Sequence, residues 1–125
     1  MAKMDNLVAG VLNITVVDAG PERPIVLHWG GRSVDRNPGQ FLGPYCTGIL
    51  EVAASRKVPV EMHFEKLEYL NSSTITPVVR VLDHARRSSA QLTVRYNNDL
   101  KWQALAFSAL FLFGTADGRV AIQGN

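Results

Sequence analysis

The chain has 125 residues, 46% of them hydrophobic and 19% charged, which suits a globular domain with a core and excludes an intrinsically disordered protein. Thirteen basic and eleven acidic residues give a net charge of +2 without a block of like charge, which argues against a nucleic-acid-binding face. The single cysteine, Cys46, excludes a disulfide framework and a cysteine-based zinc site. Without a long apolar run or a secretion signal, we expect one cytoplasmic domain over residues 1–125, with 1–9 as an N-terminal tail and no membrane partner.

Strand and helix signals alternate along the first half of the chain. Runs of β-branched residues separated by a turn predict an opening hairpin, and apolar residues at helical spacing follow it. The predicted elements are a strand at 11–17, a turn at 18–24, a strand at 25–29, a helix covering 41–53, a strand at 58–64 and a link at 65–71.

The second half continues the alternation with two amphipathic helices and two strands. The second helix has one apolar face, formed by Ile75, Val78, Val79, Leu82 and Ala85. A strand at 91–96 precedes a third helix, and a short strand at 119–123 ends the chain. The core stripe predicted for the third helix contains Trp102, Leu105, Ala106, Ala109, Leu110 and Phe113. The order β-β-α-β-α-β-α-β predicts an α/β fold with helices packed on a mixed, mainly parallel sheet.

The sequence lacks the residue patterns that common enzymes and metal sites require. Its three histidines, His28, His63 and His84, fall in separate predicted elements without metal-ligand spacing. There is no glycine-rich dinucleotide or phosphate loop, and Cys46 has no basic neighbour that would activate its thiol. We therefore expect a protein that is not an enzyme and has no cofactor, metal or nucleic-acid partner.

Adjacent hydroxyl side chains mark the entrance to the second helix. Asn71, Ser72, Ser73 and Thr74 follow a strand and a short link. Serine, threonine and asparagine are preferred at helix N-caps, so capping alone accounts for this composition. Alternatively, a serine here is a phosphoacceptor, since a phosphate at a helix N-terminus meets backbone N–H groups and adds nearly two negative charges.

Residues 64–73 resemble the signature of STAS domains, the fold of bacterial anti-sigma factor antagonists, in which an Asp-Ser-Ser/Thr-Gly motif leads into a helix. The similarity is closer to the STAS-like branch that includes the SiaC family of biofilm regulators, where asparagine replaces the aspartate as Asn71 does here. Leu-Glu-Tyr at 67–69 fits the same branch. Trp102 and Gln103 resemble a Trp-Gln pair in related cyanobacterial-type regulators, and the predicted element order agrees with STAS over residues 10–124.

The resemblance implies a non-catalytic regulator controlled by phosphorylation. Its protein partners would be a serine/threonine kinase of the anti-sigma type, a PP2C-like phosphatase and an effector such as a diguanylate cyclase. Motif registration favours Ser72 as the phosphoacceptor, with Ser73 next and Thr74 third, and Asn71 would orient the loop or the phosphoryl group. Alternatively, the chain is a constitutive interaction domain, or a small-ligand or nucleotide-binding module that uses Arg32 or Lys66.

Two residues depart from the STAS pattern. Thr74 stands where the typical motif has glycine, a substitution shared with SiaC-like sequences. Pro77 cannot donate to the Ser73 carbonyl, so we expect the helix to begin near Thr74 or Thr76. Such a start would place Ser72 and Ser73 on the loop, where a kinase can reach them, or it would mean that the switch has been lost.

Two phenylalanines lie off the predicted core stripe of the third helix. Phe107 and Phe111 are four residues apart, with Leu112 nearby. Either they lie under a loop or strand, or they form an exposed apolar patch that binds a partner or a second copy of the chain. We take partner binding by Phe107 and Phe111 as the prediction to test.

Overall fold

The computed structural model describes residues 4–125 as seven strands, three α-helices and one 3₁₀-helix, η1. In chain order they are β1 (Leu7–Ala9), β2 (Leu12–Asp18), β3 (Ile25–Ser33), α1 (Gly39–Arg56), β4 (Val60–His63), β5 (Leu67–Leu70), α2 (Ser72–Arg87), β6 (Leu92–Tyr96), α3 (Lys101–Ser108), η1 (Ala109–Phe113) and β7 (Val120–Gly124). No helix in this described range is both long and apolar enough to span a membrane.

All seven strands belong to one sheet, whose order is β1-β2-β3-β4-β6-β7 with β5 also paired to β3. The β1–β2 and β2–β3 pairs are antiparallel, and the other four pairs are parallel. The predicted opening hairpin and the mixed, mainly parallel sheet are therefore confirmed. Parallel neighbours bring their carboxyl ends to a common edge of the sheet, and the loops that follow β3 and β5 meet there.

Alternation along the strands places one face of the sheet in the core. Leu27, Met62, Val94 and Ile122 are register neighbours on four adjacent strands, and all four are buried. Each such side chain contributes about 1.5–3 kcal/mol when it is fully buried. Cys46 on α1 is buried in the same cluster, as predicted, and burial raises the pKa of its thiol to about 12. The thiol is therefore a core group rather than a reactive one.

The structure adds two strands to the predicted elements. β1 forms within the segment expected to be a tail and pairs with β2. β5 forms within residues 65–71, which were expected to be a link. Apolar and polar residues do not alternate along β5, because Leu67 and Leu70 are buried and the two residues between them are exposed. The sequence therefore lacks the period of two that predicts a strand.

The predicted start of α2 near Thr74 or Thr76 is wrong, because the helix begins at Ser72. Asn71 is the N-cap, and its side chain accepts a hydrogen bond from the Thr74 backbone. Pro77 lies inside the helix and is buried. The cap satisfies the first turn, so the fold tolerates the one backbone hydrogen bond that Pro77 cannot make.

The predicted inward face of α3 is wrong in part, and the predicted surface role of Phe107 is wrong. Leu110 is buried, and three other residues of the predicted stripe pack against the core: Trp102, Ala106 and Phe113. Phe107 is fully buried, with its ring centroid 4.9 Å from that of Phe64 and 5.5 Å from that of Tyr96. Leu105, which was assigned to the core stripe, is 79% exposed. The helix turns Gln103 and Phe107 inward and becomes a 3₁₀-helix at Ala109, which breaks the assumed helical period. Phe107 therefore belongs to the core and cannot contact a partner.

Gln103 has a fully buried side-chain amide that links the β4–β5 connection to the end of β6. Its Nε2 donates to the carbonyls of Phe64 and Leu67, at 2.8 and 3.0 Å, where β4 ends and β5 begins. Its Oε1 accepts from the Asn97 backbone at 2.7 Å, just after β6. These backbone groups lie where the strands stop pairing regularly, and Gln103 adds side-chain hydrogen bonds there. The Phe64 carbonyl also accepts from the Leu67 N–H at 3.0 Å.

We expect Gln103→Leu to lower the free energy of unfolding by about 3 kcal/mol, because it removes three side-chain hydrogen bonds to backbone groups at a buried site. Urea denaturation followed by circular dichroism measures this loss. Gln40→Leu, at an exposed position of α1, is the matched control and should change stability by less than about 0.5 kcal/mol. Equal effects of the two substitutions would contradict the assigned role of Gln103.

Candidate functional site

The entrance to α2 lies at the carboxyl-terminal edge of the sheet, beside the end of β3. β5 runs parallel to the last residues of β3, with Ser33 opposite Leu70. The next backbone N–H, that of Asn71, donates to the Ser33 carbonyl at 3.0 Å. The chain then leaves the sheet and enters α2. The first turn of α2 is therefore fixed against the loop between β3 and α1.

Asn71 holds this junction with both ends of its amide. The side-chain oxygen accepts from the Thr74 backbone N–H at 3.0 Å and from the Thr74 hydroxyl at 2.7 Å. The side-chain nitrogen donates to the Asp35 carbonyl at 2.9 Å. A carboxylate could not make that donation, so an aspartate at this position would lose the link to the β3–α1 loop. Asn71 thus links the first turn of α2 to the β3–α1 loop.

Thr74 is fully buried, and its hydroxyl lies 2.7 Å from that of Ser33, which is also buried. Because Thr74 donates to Asn71, Ser33 is the donor between the two hydroxyls. These three side chains form a buried hydrogen-bond chain under the first turn of α2. A kinase could not reach Thr74 without breaking this chain, so Thr74 is a structural support and a poor phosphoacceptor.

Ser72 and Ser73 are both exposed and occupy the first and second positions of α2. No side-chain hydrogen bond within the described chain holds either hydroxyl, in contrast to Thr74. A phosphate on either serine would lie beside the positive end of the helix dipole. Both predicted phosphoacceptors are therefore sterically available, and geometry alone does not rank them.

The two basic residues considered for a ligand site do not come together at this entrance. The guanidinium carbon of Arg32 lies 5.3 Å from the centroid of the Tyr69 ring, on neighbouring strands. Lys66 lines a separate cavity of about 150 Å³ with His28, Trp29, His63 and Glu65. Small-molecule sites usually enclose about 300–1,000 Å³, so this cavity is too small for a nucleotide.

Two histidines that the sequence placed in separate elements are neighbours in the structure. His28 and His63 face each other on β3 and β4, with ring centroids 5.0 Å apart. His63 Nε2 donates to Glu61 at 2.9 Å, and this hydrogen bond, together with the nearby Arg95 guanidinium, holds the pKa of Glu61 below its ordinary value. Within residues 4–125, no group of three or more His, Cys, Asp or Glu side chains is arranged to hold a metal ion.

Ser33 is the member of the site that sequence reasoning missed. It lies 41 residues from Thr74 and ends β3 in a run that reads as a glycine-rich turn. Ser33 lies at the end of a parallel strand with its side chain buried. The sequence does not indicate this position without knowledge of the β3–β5 register.

No protein-family model matches the sequence, and no curated protein matches it. The structure is similar to that of SiaC in the crystal structure of the diguanylate cyclase SiaD in complex with its activator SiaC from Pseudomonas aeruginosa. The two chains share 20% sequence identity, the match covers 96% of this chain and 98% of the other, and the TM-score is 0.64. This chain has a SiaC-like fold.

The comparison agrees with the STAS-like architecture expected from residues 64–73, and it extends over nearly the whole described chain. In that structure SiaC is the activator of an enzyme with which it forms a complex. At 20% identity the likeness concerns the fold alone.

The buried hydroxyl chain gives a test of the site's construction. We expect Thr74→Val to lower the free energy of unfolding by about 1–3 kcal/mol, because it leaves the Ser33 hydroxyl without its buried partner. Ser33→Ala should then cost less in the Thr74→Val background than in the wild type, as measured by a double-mutant cycle in urea. Thr76→Val, at an exposed position of the same helix, is the control. Additive effects of Ser33→Ala and Thr74→Val would show that the two hydroxyls do not interact.

Proposed function

We propose that this protein is a non-catalytic regulator that binds a protein partner and is switched by phosphorylation of Ser72 at the start of α2. The observation that carries the proposal is a pair of exposed serines on a first turn that buried side chains hold in place, within a SiaC-like fold. The protein partner that this regulator binds is a serine/threonine kinase of the anti-sigma type or a diguanylate cyclase. A PP2C-like phosphatase removes the phosphate.

The choice of Ser72 over Ser73 rests on the motif. Ser72 directly follows Asn71, in the position of the hydroxyl residue that follows asparagine in SiaC-like sequences. Ser73 remains the second candidate, since it is equally exposed. Thr74 is disfavoured by its burial and by its two side-chain hydrogen bonds.

The switch acts through charge at the docking surface. A phosphate adds nearly two negative charges next to a surface that carries a net charge of only +2 over the whole chain. If the unphosphorylated turn is covered by the partner, burying an unpaired phosphate costs on the order of several kcal/mol, which is enough to dissociate a micromolar complex. Phosphorylation would therefore release the partner without unfolding the regulator.

Peptide mapping of protein isolated from its native host tests the modification. We expect an intact mass higher by about 80 Da, removed by phosphatase treatment, and a modified peptide that contains Ser72. Ser72→Ala should abolish the added mass. Ser89→Ala, an exposed serine beyond the other end of α2, is the matched control and should leave the modification intact. A modification that persists in Ser72→Ala and disappears in Ser73→Ala would move the acceptor by one residue.

The binding half of the proposal is tested with purified diguanylate cyclases and anti-sigma-type kinases of the same host. We expect Ser72→Asp to weaken the complex by at least about tenfold, because the carboxylate imitates part of the phosphate charge. Ser89→Asp controls for added charge elsewhere and should bind like the wild type. Wild-type binding by both Ser72→Asp and Ser73→Asp would rule out the switch while leaving a constitutive interaction domain.

A further inference from the structure

A small cavity lies where the hydrogen-bonded ladder beside β3 is interrupted. β4 pairs with β3 as far as His28 opposite His63, and β5 resumes the pairing at Gly31 opposite Leu67. The cavity has a volume of about 150 Å³ and is lined by His28, Trp29, His63, Glu65 and Lys66. These residues stand at the gap between β4 and β5, so the cavity is a consequence of the interruption. We call it the ladder cavity.

Three hydrogen-bond donors that line the ladder cavity have no partner within residues 4–125. Lys66 makes no ion pair there, and the ring nitrogens of His28 make no hydrogen bond. Trp29 is only 2% exposed, and its indole N–H has no hydrogen-bond partner. Water can satisfy the exposed lysine and histidine, but buried donors in native proteins are nearly always paired. The unpaired indole therefore indicates an occupant that accepts a hydrogen bond.

The acidic groups around the ladder cavity are already engaged. One oxygen of the Glu65 carboxylate accepts from the Asn125 side-chain amide at 2.7 Å, and the other lies 3.6 Å from His63 Nδ1. Glu61 accepts from His63 Nε2 at 2.9 Å and lies 3.4 Å from the Arg95 guanidinium. The cavity wall thus combines occupied acceptors with unpaired donors and with a lysine charge that no described side chain compensates. This combination is complementary to an anion.

We propose that the ladder cavity binds a small tetrahedral oxyanion such as inorganic phosphate. The cavity has room for an ion of this size and is too small for a nucleotide. His28 and Trp29 are consecutive on β3, so they line the cavity from opposite faces of the sheet, and Lys66 adds the compensating charge. Donors on several sides suit an anion with an oxygen atom in each direction.

The ladder cavity adjoins the segment that leads to the α2 entrance. The connection at 64–66 continues into β5, and β5 continues into Asn71. An anion held between Lys66 and β3 would fasten this connection to the sheet where no ladder hydrogen bonds do so. The proposal does not rest on phosphorylation of Ser72, which is not among the residues that line the cavity.

Titration of the ¹⁵N-labelled full-length protein with inorganic phosphate, at constant ionic strength in a phosphate-free buffer, tests the site. The chain has two tryptophans, Trp29 and Trp102, so its ¹H–¹⁵N spectrum contains two indole signals. We expect the Trp29 indole signal to shift and to saturate with a Kd of about 1 mM or below. The Trp102 indole, which does not line the cavity, is the internal reference and should not shift.

Two substitutions at exposed positions test the assigned contacts. Lys66→Gln should weaken phosphate binding by at least about tenfold, because it removes the charge that pairs with the anion. His28→Leu should weaken it by a smaller factor, because it removes one donor. Lys57→Gln, an exposed lysine before the other end of β4, is the matched control and should bind like the wild type. Circular dichroism establishes that each variant is folded.

Other anions separate a built site from general charge screening. Sodium chloride should leave the Trp29 indole signal in place, and acetate should bind more weakly than phosphate because it has only two oxygen atoms. A Trp29 signal that does not respond to phosphate, or that responds equally to chloride, would overturn the proposal. So would a Lys66→Gln variant that binds phosphate like the wild type. Acetate that binds as tightly as phosphate would overturn the preference for a tetrahedral anion.

Discussion

The entrance to α2 depends on an interruption in the strand beside β3. β4 pairs with the first half of β3, up to His28 opposite His63, and β5 pairs with the second half, from Gly31 opposite Leu67. Two residues of β3 therefore face three residues of the connection, and the ladder cannot continue through it. The Gln103 side chain donates hydrogen bonds to the carbonyls of Phe64 and Leu67, on the two sides of this interruption. The re-registered β5 then delivers Asn71 to the Ser33 carbonyl, which positions the first turn of α2.

The interruption also coincides with a position of β3 that requires glycine. Gly31 has a φ of 76°, in the left-handed region, and a Cβ there would collide with the Val11 carbonyl. The β3–β5 register shifts directly after it, between Gly31 and Arg32. Glycine is required because φ is positive and because the Val11 carbonyl, which accepts from the Arg32 N–H at 3.0 Å, occupies the place of a Cβ. A glycine that reads as the end of a strand in the sequence is therefore a bulge within a longer one.

Local patterns predicted what depends on neighbours along the chain, and failed where distant strands decide. The helical period of α2 depends on nearby residues and was visible in the sequence. The N-cap at Asn71 was not, because Pro77 predicted a later start of the helix. The Asn71 side chain also donates to the Asp35 carbonyl, 36 residues away, and no local sequence pattern indicates that contact. The prediction for Phe107 is wrong because the buried side of α3 includes Gln103, a polar residue that hydrophobic periodicity assigns to solvent. Its burial follows from backbone groups of β4 and β5 that no local window contains.

At the α2 entrance, the side chains that fix the first turn are different from the one that presents an exposed hydroxyl. A modification of the exposed hydroxyl could therefore change binding and leave the fold intact. Thr74, Asn71 and Ser33 supply the hydrogen bonds that fix the first turn, and two of these three are buried. Ser72 presents an exposed hydroxyl on the turn so fixed. A phosphate on Ser72 breaks none of those bonds, and its charge gains from the positive end of the helix dipole. A phosphate on Thr74 would instead replace two buried hydrogen bonds with a buried charge and would destabilise the domain. Hence the residue that suits the proposed switch is one whose side chain makes none of the hydrogen bonds that fix the turn.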